Sequence, residues 1–445
     1  MPEKKKLAEV YGVSRGIPLT YVSRMYVDNK FIDNLTRDKH LVVFGGSKQG
    51  KTCLRKRCLN DDDYIVVQCN ASSTRPIIYE MILKHAGASV TITETKTISG
   101  FKKVEVSFEA KGKLPFVAEA GGAVSGGGEK QKSDQTTRTS FEIDPADPND
   151  VIRVLQTVDF SKYIVLEDFH YLPEEVQREI AIDLKAFHEQ SSLCFVVVGV
   201  WLESNRLVMY NGDLAGRLMP VDADQWKQED LLKVITDGEP LLNVHFAEDV
   251  KDAIITWSQN NVGILQETCY KLCEAAGVLR TMPALTTIGT VEQVKEAVAS
   301  IAAEHSTRYR NFLENFKEGL QATELQMYKW IAYAVVTADP GQLKRGLKLK
   351  DIHRQLNAVH PTHKGRLLQN NVAQALANVG KVQAKYRVQP IIFDFEANED
   401  TLRIADSGFI LYVASQPREK LLEIIGCEEV EATVPTPSLK LPYLT

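Results

Sequence analysis

The run LVVFGGSKQGKTCL, residues 41–54, constrains this chain more than any other stretch. Four apolar residues lead straight into Gly45-x-x-x-x-Gly50-Lys51-Thr52, the spacing of a phosphate-binding loop. Glycines let the backbone curl so that successive N–H groups converge on an anion. Lys51 would bring charge to the β- and γ-phosphates of a nucleotide, and Thr52 a hydroxyl ligand to Mg²⁺. KHLVVF reads as a buried parallel strand before the loop, and CLRKRCL as a helix after it whose N-terminus favours the same anion. The candidate nucleotide-contacting positions are therefore Gly45, Gly46, Ser47, Lys48, Gln49, Gly50, Lys51, Thr52 and Cys53.

Such a site needs an acid at the end of a neighbouring strand to hold the metal and polarise water. SKYIVLEDFHYL supplies an apolar strand, Tyr163 to Leu166, followed at once by Glu167 and Asp168. SSLCFVVVGVW, residues 191–201, is the next buried strand, reached through the helix PEEVQREIAIDLKAFHEQ. Buried strands alternating with helices predict a doubly wound α/β domain that binds its ligand at the carboxyl ends of the strands.

A length of 445 residues leaves room for two to four domains. With 44% hydrophobic and 25% charged residues and a net charge of −5, the composition is that of an ordinary globular protein. MPEKKKLAEV carries charge with no apolar stretch behind it, so a signal peptide is not expected, and no run is long enough to predict a membrane span. Seven cysteines in no dense pattern read as reduced thiols of a cytoplasmic protein. Cys269 and Cys273 share one helix face, where core packing is expected ahead of metal binding.

With the loop and the paired acids in place, the order of parts resembles the AAA+ and STAND group of P-loop ATPases, especially the replication-initiator branch. The resemblance spans roughly residues 10–280 and is specific only at the loop and the acid strand. It implies ATP and Mg²⁺ as cofactors and a homo-oligomer as the working form. YGVSRGIPLTYVSR is similar to the segment that helps enclose the base, with Tyr21 and Val22 as adenine contacts. VLEDFHYL takes the place of the Walker B strand, with Glu167 beside the metal and Asp168 orienting water, although the family's usual order is Asp then Glu. In GVWLESN, Glu203 or Asn205 stands nearest the family's polar sensor. In NGDLAGRL, Arg217 either reaches a neighbouring subunit's γ-phosphate or makes a surface salt bridge. The family's lid arginine has no counterpart in NNVGILQETCYKLC, which implies slow hydrolysis and a switch more than a motor.

Residues 88–147 interrupt the α/β rhythm. SVTITETKTI and KKVEVSFEAKG alternate like a β-ribbon, and the Gly/Ser/Thr-rich stretch after them reads as mobile, either a solvated excursion or a partner contact. The expected division is an ATPase core over 1–243, a helical lid and connecting helix over 244–320, an α+β winged helix over 321–426 and a tail over 427–445. Three helices, TELQMYKWIAYAVVTA, LKLKDIHRQLNAV and KGRLLQNNVAQALANVGKV, and a two-stranded ribbon, PIIFDF and TLRIADSGFILYVA, carry the winged-helix resemblance. From Lys344 to Arg387 there are ten Lys or Arg and one acid, Asp351: +9 inside a chain of −5, leaving −14 elsewhere. That concentration is an electrostatic footprint for nucleic acid, with Lys344, Arg345, Lys364, Arg366, Lys381, Lys385 and Arg387 as candidate contacts to duplex DNA. Protein docking is the other use of such a face. Three function classes stay open: an ATP-controlled DNA-binding switch, a STAND-type sensor (as in antiphage defence) that recruits a separate effector protein, and a small-molecule kinase.

Overall fold

Five parallel strands form the central sheet in the order Tyr64–Gln68, Tyr163–Glu167, Phe195–Val198, His40–Phe44, Leu218–Asp222. The computed structural model describes residues 4–12, 16–35, 37–96, 102–110 and 137–428. Side chains of a strand alternate between two faces, and here both faces are covered. Val42, Phe44, Ile164, Leu166 and Val197 join one core, under the helices Arg75–His85, Pro148–Thr157 and Glu174–Gln190. Leu41, Val43, Val165, Val196 and Val221 join the other, under the helices Met25–Leu35 and Lys51–Cys58. Double coverage is why KHLVVF reads as an unbroken apolar run. The order also sets the site: the strand leading to the loop and the strand ending in Glu167 are separated by Phe195–Val198, and their carboxyl ends open on the same edge.

The insertion is an antiparallel sheet of three strands, Ala88–Lys96, Lys102–Ala110 and Thr137–Ile143. Its third strand starts inside the Gly/Ser/Thr-rich stretch, where composition conceals the alternation; Phe141 pairs with Val106, and Val106 and Ile143 are buried in the core of the main sheet. The expectation of mobility falls on residues 111–136, which lie outside the described residues.

The helices Gln228–Leu242, Glu248–Trp257, Val262–Ala275 and Val291–Glu304 share a separate core, into which Leu7, Val10 and Tyr11 pack. The long connecting helix expected from the sequence is two helices, Val291–Glu304 and Ser306–Phe316, broken at His305. Val294, Val298 and Ala302 face the lid core, whereas Tyr309, Phe312 and Phe316 face the C-terminal core, and one straight helix does not serve both.

The C-terminal unit runs helix Met327–Thr337, a short strand Leu347–Lys348, helices Leu349–Val359, Gln369–Ala377 and Val379–Lys385, then the hairpin Phe393–Glu396 and Thr401–Ile404. The three strands pair antiparallel with Thr401–Ile404 in the middle. Two elements differ from the sequence reading: the expected third helix breaks at Asn378, and GFILYVA is helix, Ser407–Ser415. Asp406 caps that helix by accepting from the Gly408 N–H at 3.1 Å. Phe409, Ile410 and Tyr412 enter the C-terminal core and Leu411 the lid core, so the helix is apolar all round and shows no helical period. Among the described residues no helix is long and apolar enough to cross a membrane.

Candidate nucleotide-binding site

The loop emerges at the carboxyl end of His40–Phe44 and turns on residues of positive φ, Gly45 at 140°, Lys48 at 61° and Gly50 at 82°. Gly45 has no room for a side chain, because a Cβ there would lie 2.5 Å from Oδ1 of Asp224. The Gly46 N–H donates to both carboxylate oxygens of Asp224, at 2.7 and 2.8 Å. Burial pushes the Asp224 carboxyl up to about 6, against the pull of Lys51 and the Gly46 N–H. Lys51 is buried, and its Nζ donates to the carbonyls of Gly45 at 3.0 Å and Gly46 at 2.5 Å. Desolvation pushes the ammonium pKa down, while Asp224, Asp168 and Glu167 pull it back. The lid holds the other side of the loop: Asn261 Nδ2 donates to Ser47 O at 2.9 Å, Gln49 Nε2 to Asn260 O at 3.3 Å, and Gly263 N to Lys48 O at 3.2 Å. Gly50 precedes the helix Lys51–Cys58, which carries Thr52 and the half-buried Cys53.

The two acids are sorted by geometry. Glu167 accepts from Thr52 Oγ1 at 3.0 Å and from Arg55 Nε at 3.2 Å. Arg55 is buried and also stacks on Tyr64, 4.8 Å from its centroid. Asp168 takes a left-handed conformation, φ 57°, which turns it away from Thr52 to accept from Gln68 Nε2 at 2.5 Å. Burial raises its pKa and the Gln68 bond lowers it. A Thr hydroxyl against a carboxylate is a hard-oxygen pair of the kind Mg²⁺ takes beside nucleotide phosphates, so the residues present fit that ion.

The C-terminal unit reaches the same edge. Ser47 N donates to Ala405 O at 2.8 Å. Asp394 accepts from Leu202 N at 3.1 Å and Arg206 Nη1 at 3.3 Å. Asn398 Nδ2 donates to Glu203 Oε1 at 3.0 Å, and lies 3.4 Å from Asn205 Oδ1. Burial brings Glu203 to about 6.

The remaining predicted positions scatter. The Tyr21 hydroxyl donates to Asp28 at 3.1 Å, and Val22 is buried in the lid core. Arg24, two residues after Val22, stacks 3.8 Å over Trp226 and donates to Ala223 O at 2.8 Å. Arg217 sits at the amino end of Leu218–Asp222, the edge opposite the loop, where its Nη2 meets Glu189 at 2.7 Å. Lys344, Arg345, Lys364, Arg366 and Arg387 are exposed, and desolvation lowers the Lys344 pKa. Lys385 Nζ donates to the carbonyls of Gly319 and Leu320, both at 3.0 Å, and Lys381 lies 3.9 Å from Glu174 of the core.

Asp224, Gln68, Arg55, Arg206, Asn261 and Asp394 were not legible as site residues. Each reaches the site from a separate strand end, helix or unit, and none carries a motif of its own.

No protein-family model and no curated protein matches the sequence. Among solved structures the chain is similar to a Walker-type ATPase of Pyrococcus abyssi, at 13% identity and a TM-score of 0.49, covering 91% of this chain and 99% of that one. It is similar also to Orc1 of Aeropyrum pernix, solved in complex with DNA, at 10% identity and 0.41 over 94% and 98%. A third similar structure is Cdc6p of Pyrobaculum aerophilum, at 10% identity and 0.39 over 95% and 98%. It is the chain's own sheet order, loop geometry and helical lid that make it a P-loop α/β fold.

Proposed function

We propose that this chain is a cytoplasmic ATP-binding, slowly hydrolysing molecular switch whose nucleotide state controls its self-assembly and the contact of its basic C-terminal unit with duplex DNA. The observation that carries the reading is the hydrogen bond from Ser47 N to Ala405 O at 2.8 Å. The phosphate loop and the C-terminal unit hold each other, so a ligand that rearranges the loop changes the seating of that unit. In this reading Gly45 to Cys53 cradle the phosphates, and Tyr21 and Val22 lie on the side of the base. Thr52 and Glu167 hold Mg²⁺, which neutralises phosphate charge, while Asp168 orients the attacking water. Arg217, on the far edge, acts on the γ-phosphate of a neighbouring subunit. The division into core (1–243), lid (244–320), winged helix (321–426) and tail (427–445) goes with it; the lid core also takes in Leu7, Val10, Tyr11 and the helix Gln228–Leu242, the C-terminal core begins at Tyr309, and the last unit runs two helices, a short strand, three helices and a hairpin.

The test is a mobility shift of long duplex DNA by the full chain, with and without ATP. ATP-dependent binding is expected; no binding at low salt in either state rejects the DNA part of the reading. One observation favours the second reading, a STAND-type sensor that oligomerises and recruits a separate effector: Lys381 and Lys385 are already engaged inside the chain. ATP-driven assembly without DNA binding would put that reading first.

A further inference from the structure

We infer that Arg55 selects the divalent cation of the nucleotide site: it occupies one oxygen of Glu167 and leaves that acid a single oxygen to give, a demand that Mg²⁺ meets better than Ca²⁺. This rests on reading Thr52 and Glu167 as the metal pair of an ATP site.

Thr52 and Arg55 stand three residues apart on the helix Lys51–Cys58 and so share a face of it. Both meet the same carboxylate. Thr52 Oγ1 donates to Oε1 of Glu167 at 3.0 Å, and Arg55 Nε donates to Oε2 at 3.2 Å. The two oxygens are thereby told apart, one beside a hydroxyl at an exposed position and the other against a buried cation. The Arg55 side chain is 5% exposed and that of Glu167 12%. Tyr64 covers the guanidinium at 4.8 Å, and the buried Nη1 has no hydrogen-bond partner among the described residues. A buried ion pair is often no more stabilising than apolar side chains of the same volume, so packing alone does not account for an arginine at this position.

A carboxylate can clasp a cation with both oxygens or meet it with one. Ca²⁺ accepts either, at about 2.3–2.6 Å, whereas the smaller Mg²⁺ demands a near-octahedral set at about 2.0–2.1 Å and keeps several waters. With Oε2 held by Arg55, Glu167 offers Oε1 alone, next to the Thr52 hydroxyl. Arg55 also offsets the charge of the acid, so the pair draws a bare cation weakly and the phosphates of the nucleotide bring most of the attraction. Freeing Oε2 would open a two-oxygen clasp of full negative charge, and both changes favour the larger ion.

The test uses the full-length chain, with ATPγS affinity measured by calorimetry in EDTA, in Mg²⁺ and in Ca²⁺. Arg55→Met keeps an unbranched side chain against Tyr64 and removes the charge. It is expected to raise affinity in Ca²⁺ relative to that in Mg²⁺ by about tenfold, the scale of one charge-assisted hydrogen bond. Arg55→Lys should move that ratio the same way by less, since it keeps the charge without the planar fork. A purely structural role for Arg55 would lower affinity in all three conditions and leave the ratio where it was. Equal changes with the two metals in Arg55→Met overturn the inference and leave ATP binding standing. Where Arg55→Met does not fold, a parent-like ratio in Arg55→Lys does the same. A parent chain that binds ATPγS equally in all three conditions overturns the metal pair, and one that binds no ATPγS overturns the ATP reading itself; the inference falls with either.

Discussion

At the scale of single residues, the site is an arrangement of buried charges whose balance can be measured. Lys51→Ala removes the ammonium from the phosphate cradle, and a charge-assisted hydrogen bond is worth about 1.5–3 kcal/mol. Calorimetry should show nucleotide affinity falling by at least about tenfold, with the circular dichroism spectrum unchanged. Asp168→Asn should retain nucleotide and stop hydrolysis, whereas Glu167→Gln should weaken the Mg²⁺-dependent part of binding, because Glu167 is the acid that meets Thr52. Wild-type phosphate release by Asp168→Asn in a single turnover would reverse that assignment. Gln68 lowers the Asp168 pKa against its burial. A base works only when deprotonated, so Gln68→Ala should move the acid limb of the pH–rate profile to higher pH.

Asp224 gives a stability counterpart. Its carboxyl is held at about 6 instead of 3.8, so between those values the folded chain binds a proton that the unfolded chain has released. Stability from this group is therefore present at low pH and lost as pH rises through about 6. The shift is worth up to about 3 kcal/mol. Urea unfolding at low and neutral pH should show Asp224→Asn gaining on the parent by that order as pH rises, and a pH-independent difference would disprove the buried-acid account.

Among elements, the basic segment divides into used and unused charge. Lys364 and Arg366 lie exposed just ahead of the helix Gln369–Ala377, with Leu368 beside them 69% exposed. Lys381 and Lys385, on the helix Val379–Lys385, meet Glu174 and the Gly319 and Leu320 carbonyls. Each phosphate contact adds about 0.9 to the logarithmic salt slope of binding to duplex DNA. Lys364→Gln with Arg366→Gln should therefore flatten that slope by about 2, and Lys381→Gln with Lys385→Gln by less. Equal flattening by the two pairs would mean that the internal contacts open when DNA binds. Helix Ser407–Ser415 shows the other property of an element: its sides belong to different cores, so it ties the lid to the C-terminal unit.

For the whole molecule, the question is whether one chain makes a complete site. Arg217 lies on the edge opposite the loop and is tied to Glu189, so any action on a phosphate is on another copy's. Arg217→Ala should lower hydrolysis more than affinity, and mixing it with Lys51→Ala subunits should restore some activity in composite sites. No recovery at any ratio, with assembly verified by light scattering, would leave Arg217 as a surface ion pair. An assembly that reorients the C-terminal unit must break Asp394 from Arg206, Ala405 from Ser47 and Asn398 from Glu203, and withdraw Leu411 from the lid core.

The sequence by itself determined whatever depends on neighbours along the chain. The strand, loop and helix around Lys51, the acid strand ending in Glu167 and Asp168, the insertion's first two strands and the basic C-terminal helices all follow from short-range spacing and periodicity. Tertiary structure decided whatever depends on the closing of distant segments. It turned Asp168 toward Gln68 and Glu167 toward Thr52, set Asp224 under the loop, broke the connecting helix at His305 and converted GFILYVA from strand to helix. It also set Lys381 and Lys385, two of the candidate DNA contacts, against internal partners. In each case the deciding term is a buried contact between residues far apart in the chain, and no local pattern encodes which partner a buried charge or an all-apolar segment will meet.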